Sequence, residues 1–344
     1  MVHPITLIPG DGIGPEVVEA TQQIISAAGV TVAWEVHQAG LEVAKLTGSP
    51  LPITVIEAVR RSKVALKGPV TTPIGGGFRS VNVTLRQTLD LYANVRPVRS
   101  LPGVEPRFPD VDMVIIRENT EGLYAGLELM ILPGVAQSIK LTTERSSTRI
   151  AEFAFQYAKQ HERRRVTIVH KANIMKISDG LALDCARRVA ARHPEVQLAE
   201  MIVDAAAMTM VRDPNRLGVL VTENLYGDIL SDLGAGLVGG LGIVPGANIG
   251  DDAAVFEAVH GSAPDIAGKG YANPTALVQS AVMMLHYLHE AEAADRIERA
   301  LTDVYRAGAV RTRDLGGTAS TRDFTRALCA AIENPREVEP GRPS

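Results

Sequence analysis

The stretch Ile5-Thr-Leu-Ile-Pro-Gly10-Asp-Gly-Ile-Gly-Pro15 decides the fold class, because it joins a short apolar run to a glycine-rich turn. A helical pattern follows from about Pro15 to Ala28, and a proline is favourable at a helix start. The dinucleotide-binding fingerprint of a Rossmann fold is G-x-G-x-x-G after a strand. Here Gly14 comes too early and Pro15 stands at the third-glycine position. We therefore predict a tight strand-to-helix turn in an α/β fold that is not of the Rossmann type.

The rest of the chain alternates short apolar runs with helical patterns, as is typical of α/β folds. We predict strands at residues 31–37, 64–67, 111–117 and 166–170. We predict helices at residues 53–62, 145–161, 178–193 and 275–290.

The bulk composition argues against several classes of protein. A length of 344 residues suggests two domains or one interleaved unit. The net charge of −4 comes without a basic stripe, which argues against nucleic-acid binding. The chain has no uninterrupted apolar run of about 18 residues and no secretory signal pattern. The isolated thiols of Cys185 and Cys329 fit a reducing compartment, so we expect a soluble, cytoplasmic protein without membrane partners.

Two aspartates in Asn224-Leu-Tyr-Gly-Asp228-Ile-Leu-Ser-Asp232 form the strongest local pattern. Their i, i+4 spacing places both carboxylates on one face of a helix. Like charges at this spacing repel unless a cation lies between them, and Mg²⁺ or Mn²⁺ prefers such oxygen ligands. A solvated helix face would explain the same pair, but the flanking apolar residues favour a metal site.

Arginines recur in three separate segments, at Arg86, Arg96 and Arg117. The planar guanidinium group binds carboxylates through two hydrogen bonds, so three of them would enclose a substrate with several carboxylates. Ser80 and Asn82 alternate on one side of a predicted extended or turn segment and would add neutral hydrogen bonds. Ordinary surface ion pairs are the alternative for each arginine taken singly.

Two further segments carry groups for proton transfer and nucleotide binding. Lys171 directly follows a β-rich run, where a metal and other cations would lower its pKa and allow it to act as a base. Tyr124 is a candidate proton donor. The small-residue loop from His260 to Asn273 would wrap an adenosine, with Asp265 accepting hydrogen bonds from ribose hydroxyls and repelling a 2′-phosphate. Structural or exposed side chains and a plain long loop are the alternatives.

Taken together, these segments resemble the isocitrate and isopropylmalate dehydrogenase family of β-decarboxylating dehydrogenases, from about Ile5 to Asn334. The motifs follow the family's order: Gly10–Pro15, Lys67-Gly-Pro-x-Thr-Thr-Pro73, Tyr92-Ala-Asn-Val-Arg-Pro97, Arg117-Glu-Asn-Thr-Glu121, the Asp228/Asp232 pair and His260-Gly-Ser-Ala-Pro264. The resemblance implies an isocitrate/isopropylmalate dehydrogenase-like α/β fold with two domains around a large mixed sheet. The large, cofactor-binding domain would take residues 1–98 and 250–344, and the small, substrate and dimerisation domain residues 99–249.

The resemblance also implies a homodimer with shared active sites. The small domains would clasp each other, and each site would receive Lys171 and Asp204 from the partner protomer. Asp204 would complete a metal site with Asp228 and Asp232. Lys171 and Asp204 would help to remove the substrate's hydroxyl proton, and Tyr124 would protonate the enolate left when CO₂ departs.

The resemblance points to isocitrate as the substrate through one short segment. Isocitrate-type members carry the Ser-x-Asn of Ser80 and Asn82, which would bind the third carboxylate of a tricarboxylic acid. A site built for hydrogen bonds strongly disfavours a substrate that lacks the matching group. Homoisocitrate and 3-isopropylmalate are the alternative substrates. A non-catalytic regulatory subunit is the alternative from another class, although all the matching site residues are present.

NAD is the cofactor that the resemblance implies. NADP-using relatives carry Lys-Tyr where this chain has Asp265-Ile266, and Tyr and Arg where it has Thr312 and Gly316. The basic residues Arg311 and Arg313 nearby keep NADP as the alternative. The predicted cofactor-binding residues are Thr71, His260, Gly261, Ser262, Ala263, Pro264, Asp265, Ile266 and Asn273.

Overall fold

The computed structural model describes residues 2–73 and 78–334. Within these ranges the chain forms one ten-stranded sheet and a separate two-stranded hairpin. The strands are β1 (Val2–Ile8), β2 (Thr31–Val36), β3 (Val64–Lys67), β4 (Ala93–Arg99), β5 (Asp112–Glu118), β6 (Gly122–Leu132), β7 (Val135–Leu141), β8 (Arg165–His170), β9 (Gln197–Ile202), β10 (Val219–Thr222), β11 (Pro245–Ile249) and β12 (Ala254–Ala258). The helices are α1 (Gly14–Ala27), α2 (Leu41–Thr47), α3 (Ile53–Ser62), α4 (Val81–Thr88), α5 (Glu144–Gln160), α6 (Ser178–Ala190), α7 (Val203–Arg212), α8 (Asn224–Val238), α9 (Thr275–Tyr287), α10 (Ala291–Ala307) and α11 (Thr321–Glu333).

The large sheet is mixed and has the strand order β2-β1-β3-β12-β11-β4-β5-β10-β8-β9. Strand β11 runs antiparallel to β12 and β4, and β4 runs antiparallel to β5. The remaining neighbours are parallel. Parallel strands that are covered by helices on both faces have continuous apolar runs in their sequences. In agreement with this, β3 and β10 are buried at every residue. The predicted α/β fold around a large mixed sheet is confirmed.

The proposed division into two domains does not interrupt this sheet. Strand β4 falls almost wholly in the proposed large domain and β11 in the proposed small one, yet they are hydrogen-bonded neighbours. The proposed border therefore runs through the antiparallel centre of a continuous sheet. The last ten residues of the proposed large domain lie outside the described ranges.

The amino-terminal turn has the predicted form. Strand β1 ends at Ile8, and α1 begins at Gly14 with Pro15 in its first turn. Gly10 and Gly12 between them have φ angles of +77° and +59°. Residues that have a Cβ rarely adopt such positive φ angles, so this turn depends on glycine at both positions.

The segment from Ser80 to Arg86 is helical, and the prediction of an extended or turn segment is wrong. Helix α4 begins directly after Ser80. Val81 and Leu85 within the helix and Leu89 directly after it recur every four positions and are all buried. That period belongs to a helix packed on the core, and it outweighs the polar residues between.

The β6–β7 hairpin leaves many apolar side chains exposed. Its strands pair with each other and with no strand of the large sheet. The exposed residues include Leu129, Met130, Leu132, Val135 and Ile139. An isolated two-stranded ribbon is marginal in water, and a contiguous exposed apolar patch marks a site of association. Among residues 2–73 and 78–334, no helix has the length and apolar character needed to cross a membrane.

Candidate active site

Three arginines from three elements lie close together. Arg96 is on β4 and Arg117 on the adjacent β5, while Arg86 is near the end of α4. They are 6%, 1% and 7% exposed, respectively. Burial and the charges of Arg117 and Arg86 lower the pKa of Arg96 to about 10. Burial and Arg86 likewise lower the pKa of Arg117. The structure thus brings the three predicted arginines into one buried cluster, which we call the arginine cluster.

Arg86 is held by a buried carboxylate that the sequence analysis did not single out. Its Nη2 donates to Oε1 of Glu257 on β12, at 2.8 Å. Lys67 on β3 forms an ion pair with the other carboxylate oxygen, at 2.7 Å. Burial disfavours the charged form of Glu257, but Lys67 and Arg86 outweigh it and hold the pKa of this carboxyl well below its usual range.

Helix α8 supplies partners for the other two arginines. Arg117 donates from Nε and Nη2 to the amide oxygen of Asn224, at 2.9 and 2.6 Å. Arg96 donates from Nη1 to the hydroxyl of Ser231. Because both acceptors are uncharged, each fixes a guanidinium group without neutralising it.

The two aspartates of α8 adjoin the arginine cluster. Asp228 pairs with Nη1 of Arg117, and Nη1 of Arg96 lies 3.7 Å from one oxygen each of Asp228 and Asp232. The hydroxyl of Tyr124 donates to Asp228. The Arg117 guanidinium lies over the Tyr124 ring, 5.0 Å from its centroid. The predicted metal ligands of one chain and the predicted proton donor therefore share one site with the arginines.

The charges in this site follow from its burial. Burial and the hydrogen bond to Asp228 raise the pKa of Tyr124, so the phenol is protonated at neutral pH. Burial opposes the charge of Asp228, but Arg117 and the Tyr124 hydroxyl outweigh it and lower the pKa of this aspartate. Burial raises the pKa of Asp232 above its ordinary value.

Lys171 and Asp204 form a separate pair. Lys171 follows the end of β8, and Asp204 lies in the first turn of α7. Nζ of Lys171 donates to Oδ1 of Asp204 at 2.6 Å, and this bond lowers the pKa of the aspartate. The Asp204 side chain is 70% exposed. In the part of the chain that is described, the pair makes no hydrogen bond or ion pair with the α8 aspartates. Within a single chain, therefore, only Asp228 and Asp232 of the three predicted metal ligands lie in the same site.

A different group of potential metal ligands lies on the surface. In residues 2–73 and 78–334, one set of three His, Cys, Asp or Glu side chains has ligand atoms within 4.8 Å of one another. This set is His286, Asp295 and Glu298, and all three are exposed. It includes none of the predicted ligands.

Ser80 and Asn82 lie at the start of α4, the helix that carries Arg86. Asn82 and Arg86 are four residues apart, so they share a helix face. The amide oxygen of Asn82 is buried and has no hydrogen-bond partner in the described part of the chain. A buried polar atom without a partner is rare in proteins, and a polar ligand would satisfy it. Ser80 accepts a hydrogen bond from the Thr72 hydroxyl, at 3.3 Å.

A cavity of about 760 Å³ lies along the loop from His260 to Asn273, and we call it the His260 cavity. Nε2 of His260 is buried without a partner within the described ranges. Burial lowers the pKa of this imidazole, so the ring is neutral and accepts or donates one hydrogen bond at the free nitrogen. The predicted cofactor residues that line the cavity are His260, Gly261, Ala263, Ile266 and Asn273.

The other predicted cofactor residues do not line the cavity. Ser262 is buried, and its hydroxyl is 2.6 Å from that of Thr71, so the two tie the loop to the residues after β3. Pro264 and Asp265 are exposed.

Several residues of these two sites were not predicted from the sequence. Tyr271 lines the His260 cavity beside Arg313, which was predicted only as a basic residue near the cofactor, and the guanidinium carbon is 3.5 Å from the ring centroid. Glu257 was detectable as one charged residue within the apolar strand β12. Asn224 and Ser231 stand within the aspartate motif itself, but nothing in their spacing identifies an arginine as their partner.

The chain resembles known proteins over most of its length. Residues 4–328 match the family described as isocitrate/isopropylmalate dehydrogenase. The chain is 54% identical over 325 residues to mitochondrial NAD isocitrate dehydrogenase catalytic subunit 5 of Arabidopsis thaliana, which covers 94% of this chain and 87% of the relative. It is 54% identical over 306 residues to chloroplastic 3-isopropylmalate dehydrogenase of Solanum tuberosum, covering 89% and 86%.

Two further comparisons bear on the fold and on the role of the chain. The crystal structure of isocitrate dehydrogenase from Methylococcus capsulatus has a TM-score of 0.94 and 51% identity, covering 96% of this chain and 100% of that one. A regulatory subunit of the mitochondrial NAD isocitrate dehydrogenase of Dictyostelium discoideum is 49% identical over 334 residues, covering 96% and 92%.

The comparisons overturn the predicted cytoplasmic location. The similar NAD isocitrate dehydrogenase subunits of Arabidopsis thaliana and Dictyostelium discoideum are mitochondrial. The prediction rested largely on two isolated cysteines, and Cys185 and Cys329 are indeed free thiols. Free thiols indicate a reducing environment but do not distinguish one such compartment from another. These relatives are also named as subunits, a description that does not specify the predicted homodimer.

Proposed function

Because the chain belongs to the isocitrate and isopropylmalate dehydrogenase family and is a dehydrogenase of that class, we propose that it uses NAD to oxidise and decarboxylate isocitrate to 2-oxoglutarate and CO₂. The observation that carries this proposal is the arginine cluster beside Asn82. The buried cations of this site outnumber its carboxylates by one. A divalent ion bound by Asp228 and Asp232 would raise that excess, so a substrate with three carboxylates would supply the anions that the buried guanidinium groups require. Asn82 can donate from Nδ2 to a carboxylate, which favours a substrate with a polar group where 3-isopropylmalate is apolar.

We propose that the His260 cavity holds NAD, which would accept the hydride. The free Nε2 of His260 gives the cavity a polar atom that needs a ligand, and the volume fits a large one. Asp265 is exposed and precedes Ile266, which lines the cavity, and its charge would repel a 2′-phosphate bound nearby. Arg313 lies on the face of Tyr271 at the cavity wall and keeps its charge there, so NADP is the alternative cofactor.

We propose that Asp228 and Asp232 bind Mg²⁺ or Mn²⁺. Adjacent carboxylates on one helix face are the hard oxygen donors that such ions require, so the residues present fit the ion. A bound divalent ion would polarise the substrate's oxygen atoms. Two protein ligands are few for an all-carboxylate site, and we propose that Asp204 of a second copy of the chain supplies the third.

The proton transfers are assigned to Tyr124, Lys171 and Asp204. Tyr124 is a protonated phenol beside the carboxylate of Asp228, so it is suited to donate its proton to the enolate. Lys171, with Asp204, would remove the substrate's hydroxyl proton from the partner side of a shared site. The exposed apolar hairpin β6–β7 supports such an assembly, because an association of two copies would cover it.

An inactive, regulatory role is the second candidate, and the similarity to the regulatory chain from Dictyostelium discoideum favours it. The complete set of acidic, basic and phenolic residues in the site argues for a catalytic chain. Homoisocitrate and 3-isopropylmalate are the alternative substrates. The similarity to a 3-isopropylmalate dehydrogenase supports 3-isopropylmalate as one of them.

Initial rates of NADH and NADPH formation test the proposal, with purified chain, Mg²⁺ and each of the three substrates. We expect NAD-linked turnover of isocitrate to be fastest. An Asn82→Leu variant should raise the KM for isocitrate and leave that for 3-isopropylmalate nearly unchanged. Faster turnover of either other substrate would change the substrate assignment. Absence of activity with all three would favour the regulatory role.

A further inference from the structure

The three arginines of the cluster are held by chemically different partners. Arg86 donates to the carboxylate of Glu257. Arg117 and Arg96 also face the aspartates of α8, but each has in addition a neutral acceptor, the amide of Asn224 and the hydroxyl of Ser231, respectively. Both neutral acceptors belong to α8, the helix that also carries the two aspartates. Their positions relative to Asp228 are i−4 and i+3, so all of them project from one face of the helix.

Both neutral acceptors are buried and fixed by second hydrogen bonds. Asn224 is 1% exposed, and its Nδ2 donates to the backbone oxygen of Glu121 at 3.1 Å. That bond determines which end of the amide faces Arg117. Ser231 is fully buried, and its hydroxyl donates to the backbone oxygen of Asp228 at 2.9 Å. The hydroxyl oxygen therefore presents its lone pairs to Arg96.

We propose that Asn224 and Ser231 are positioning residues that orient Arg117 and Arg96 for the substrate's carboxylates without adding a further negative charge to the site. This inference rests on the proposed function, because it concerns the same substrate site. A carboxylate acceptor would orient a guanidinium group equally well but would cancel its charge. Neutral acceptors separate the two effects.

The charge balance of the site makes this separation important. The site contains four cations and three carboxylates, an excess of one positive charge: Lys67, Arg86, Arg96 and Arg117 against Glu257, Asp228 and Asp232. One further carboxylate at position 224 would remove that excess. The proposal therefore predicts that Asn224→Asp impairs substrate binding even though it keeps an oxygen acceptor.

Steady-state kinetics of four variants test the proposal. Asn224→Leu, Asn224→Asp and Ser231→Ala should each raise the KM for isocitrate about tenfold to hundredfold, the usual worth of a hydrogen bond to a charged group. Their kcat should change by less than about twofold, because an arginine that holds a carboxylate does so in ground and transition states alike. Ser231→Thr keeps the hydroxyl and should keep the wild-type KM.

A structural role alone would give a different result. Thr21→Val is the matched control, because Thr21 is a buried helix hydroxyl that donates within its own helix; it should lower Tm without changing KM. If Asn224→Leu and Ser231→Ala lower Tm but keep the wild-type KM, the positioning role is wrong. If Asn224→Asp has the wild-type KM, the requirement for a neutral acceptor is wrong.

A double-mutant cycle separates this proposal from the proposed function. In an Arg117→Lys background, Asn224→Leu should change KM by less than about twofold, because its effect passes through the guanidinium group. A full additional effect in that background would overturn the inference. An inactive wild-type chain would overturn the proposed function, and the direct binding constant for isocitrate would then report on Asn224.

Discussion

Tyr124 lies between a cation and an anion, with its ring under Arg117 and its hydroxyl on Asp228. Its raised pKa keeps the proton on the phenol at neutral pH. Tyr124→Phe keeps the ring and removes the hydroxyl group that carries this proton. We expect kcat to fall about 10²–10⁴-fold, the usual contribution of a positioned acid, while the KM for isocitrate changes little. Steady-state rates would check this, and an unchanged kcat would exclude Tyr124 as the donor.

Glu257 should matter for stability as well as for the position of Arg86. Glu257→Gln leaves Lys67 and Arg86 buried without their anion, so we expect the free energy of unfolding to fall by about 3 kcal/mol at neutral pH. The pKa of Glu257 lies below the usual 4.5 in the folded chain. Its contribution is therefore fully present above that pH and is lost as the pH falls through the folded pKa.

Urea unfolding at a series of pH values measures this difference. The difference in free energy of unfolding between wild type and Glu257→Gln should be constant from pH 8 to about pH 5 and should become smaller at more acidic pH. A gap that narrows instead as the pH rises toward 8 would contradict the ion-pair explanation.

At the residue scale, the sequence predicted which side chains meet but not what holds them. Arg86, Arg96 and Arg117 share one site, as their residue type and motifs predicted, together with the α8 aspartates. Their acceptors Glu257, Asn224 and Ser231 were not assigned. The acceptor that each arginine meets depends on how the helices and strands pack against one another. Residue spacing along the chain does not give that packing.

Helix α8 packs so closely on β5 that one of its positions excludes a side chain. A Cβ on Gly227 would lie 2.6 Å from Cγ of Arg117, which is too close for any pair of carbon atoms. Gly227→Ala should therefore push Arg117 aside, lower the free energy of unfolding by about 1–3 kcal/mol and raise the KM for isocitrate. Thermal unfolding and steady-state kinetics would measure the two effects.

The same helix offers a matched control. A Cβ on Gly236 would meet nothing within 4 Å, and alanine is the better helix former by about 0.5–1 kcal/mol. Gly236→Ala should keep the wild-type KM and raise Tm slightly. Equal losses of Tm in both variants would show that close packing on Arg117 is not the cause.

At the element scale, periodic apolar residues predicted most helices and strands close to their observed bounds. Helix α3 has the predicted bounds of 53–62, and α9 ends at Tyr287 rather than residue 290. The segment that forms α4 was predicted as extended or a turn, because Ser80 and Asn82 alternate along it. Its buried face is formed by Val81 and Leu85, with Leu89 directly after the helix, and this tertiary packing decides its structure.

At the scale of the whole molecule, the proposed shared site predicts complementation between two inactive variants. Lys171→Met and Asp228→Asn should each abolish turnover. In a mixed dimer, one site would combine the intact Asp228 of one protomer with the intact Lys171 of the other. In a random mixture of the two refolded variants, half of the dimers are mixed and each of these has one intact site. About a quarter of the wild-type activity should therefore be restored, as the symmetry of a dimer requires.

Coupled activity assays on the mixture would measure this recovery, with each variant alone as control. No recovery, with mixed dimers present by mass spectrometry, would place both residues of a site in one protomer.

Strand order, unlike strand location, was not accessible from the sequence, because it depends on pairings between distant segments.

The sheet order has a consequence for synthesis on the ribosome. Strand β3 ends at Lys67, but its sheet neighbour β12 begins only at Ala254. At ordinary elongation rates the edge of β3 waits roughly 10–40 s for its partner. Strands β4 and β5, by contrast, follow each other along the chain and are hydrogen-bonded neighbours, so they can pair soon after they emerge. The nascent amino-terminal half therefore presents an open, apolar strand edge, the kind of surface that recruits chaperones or aggregates.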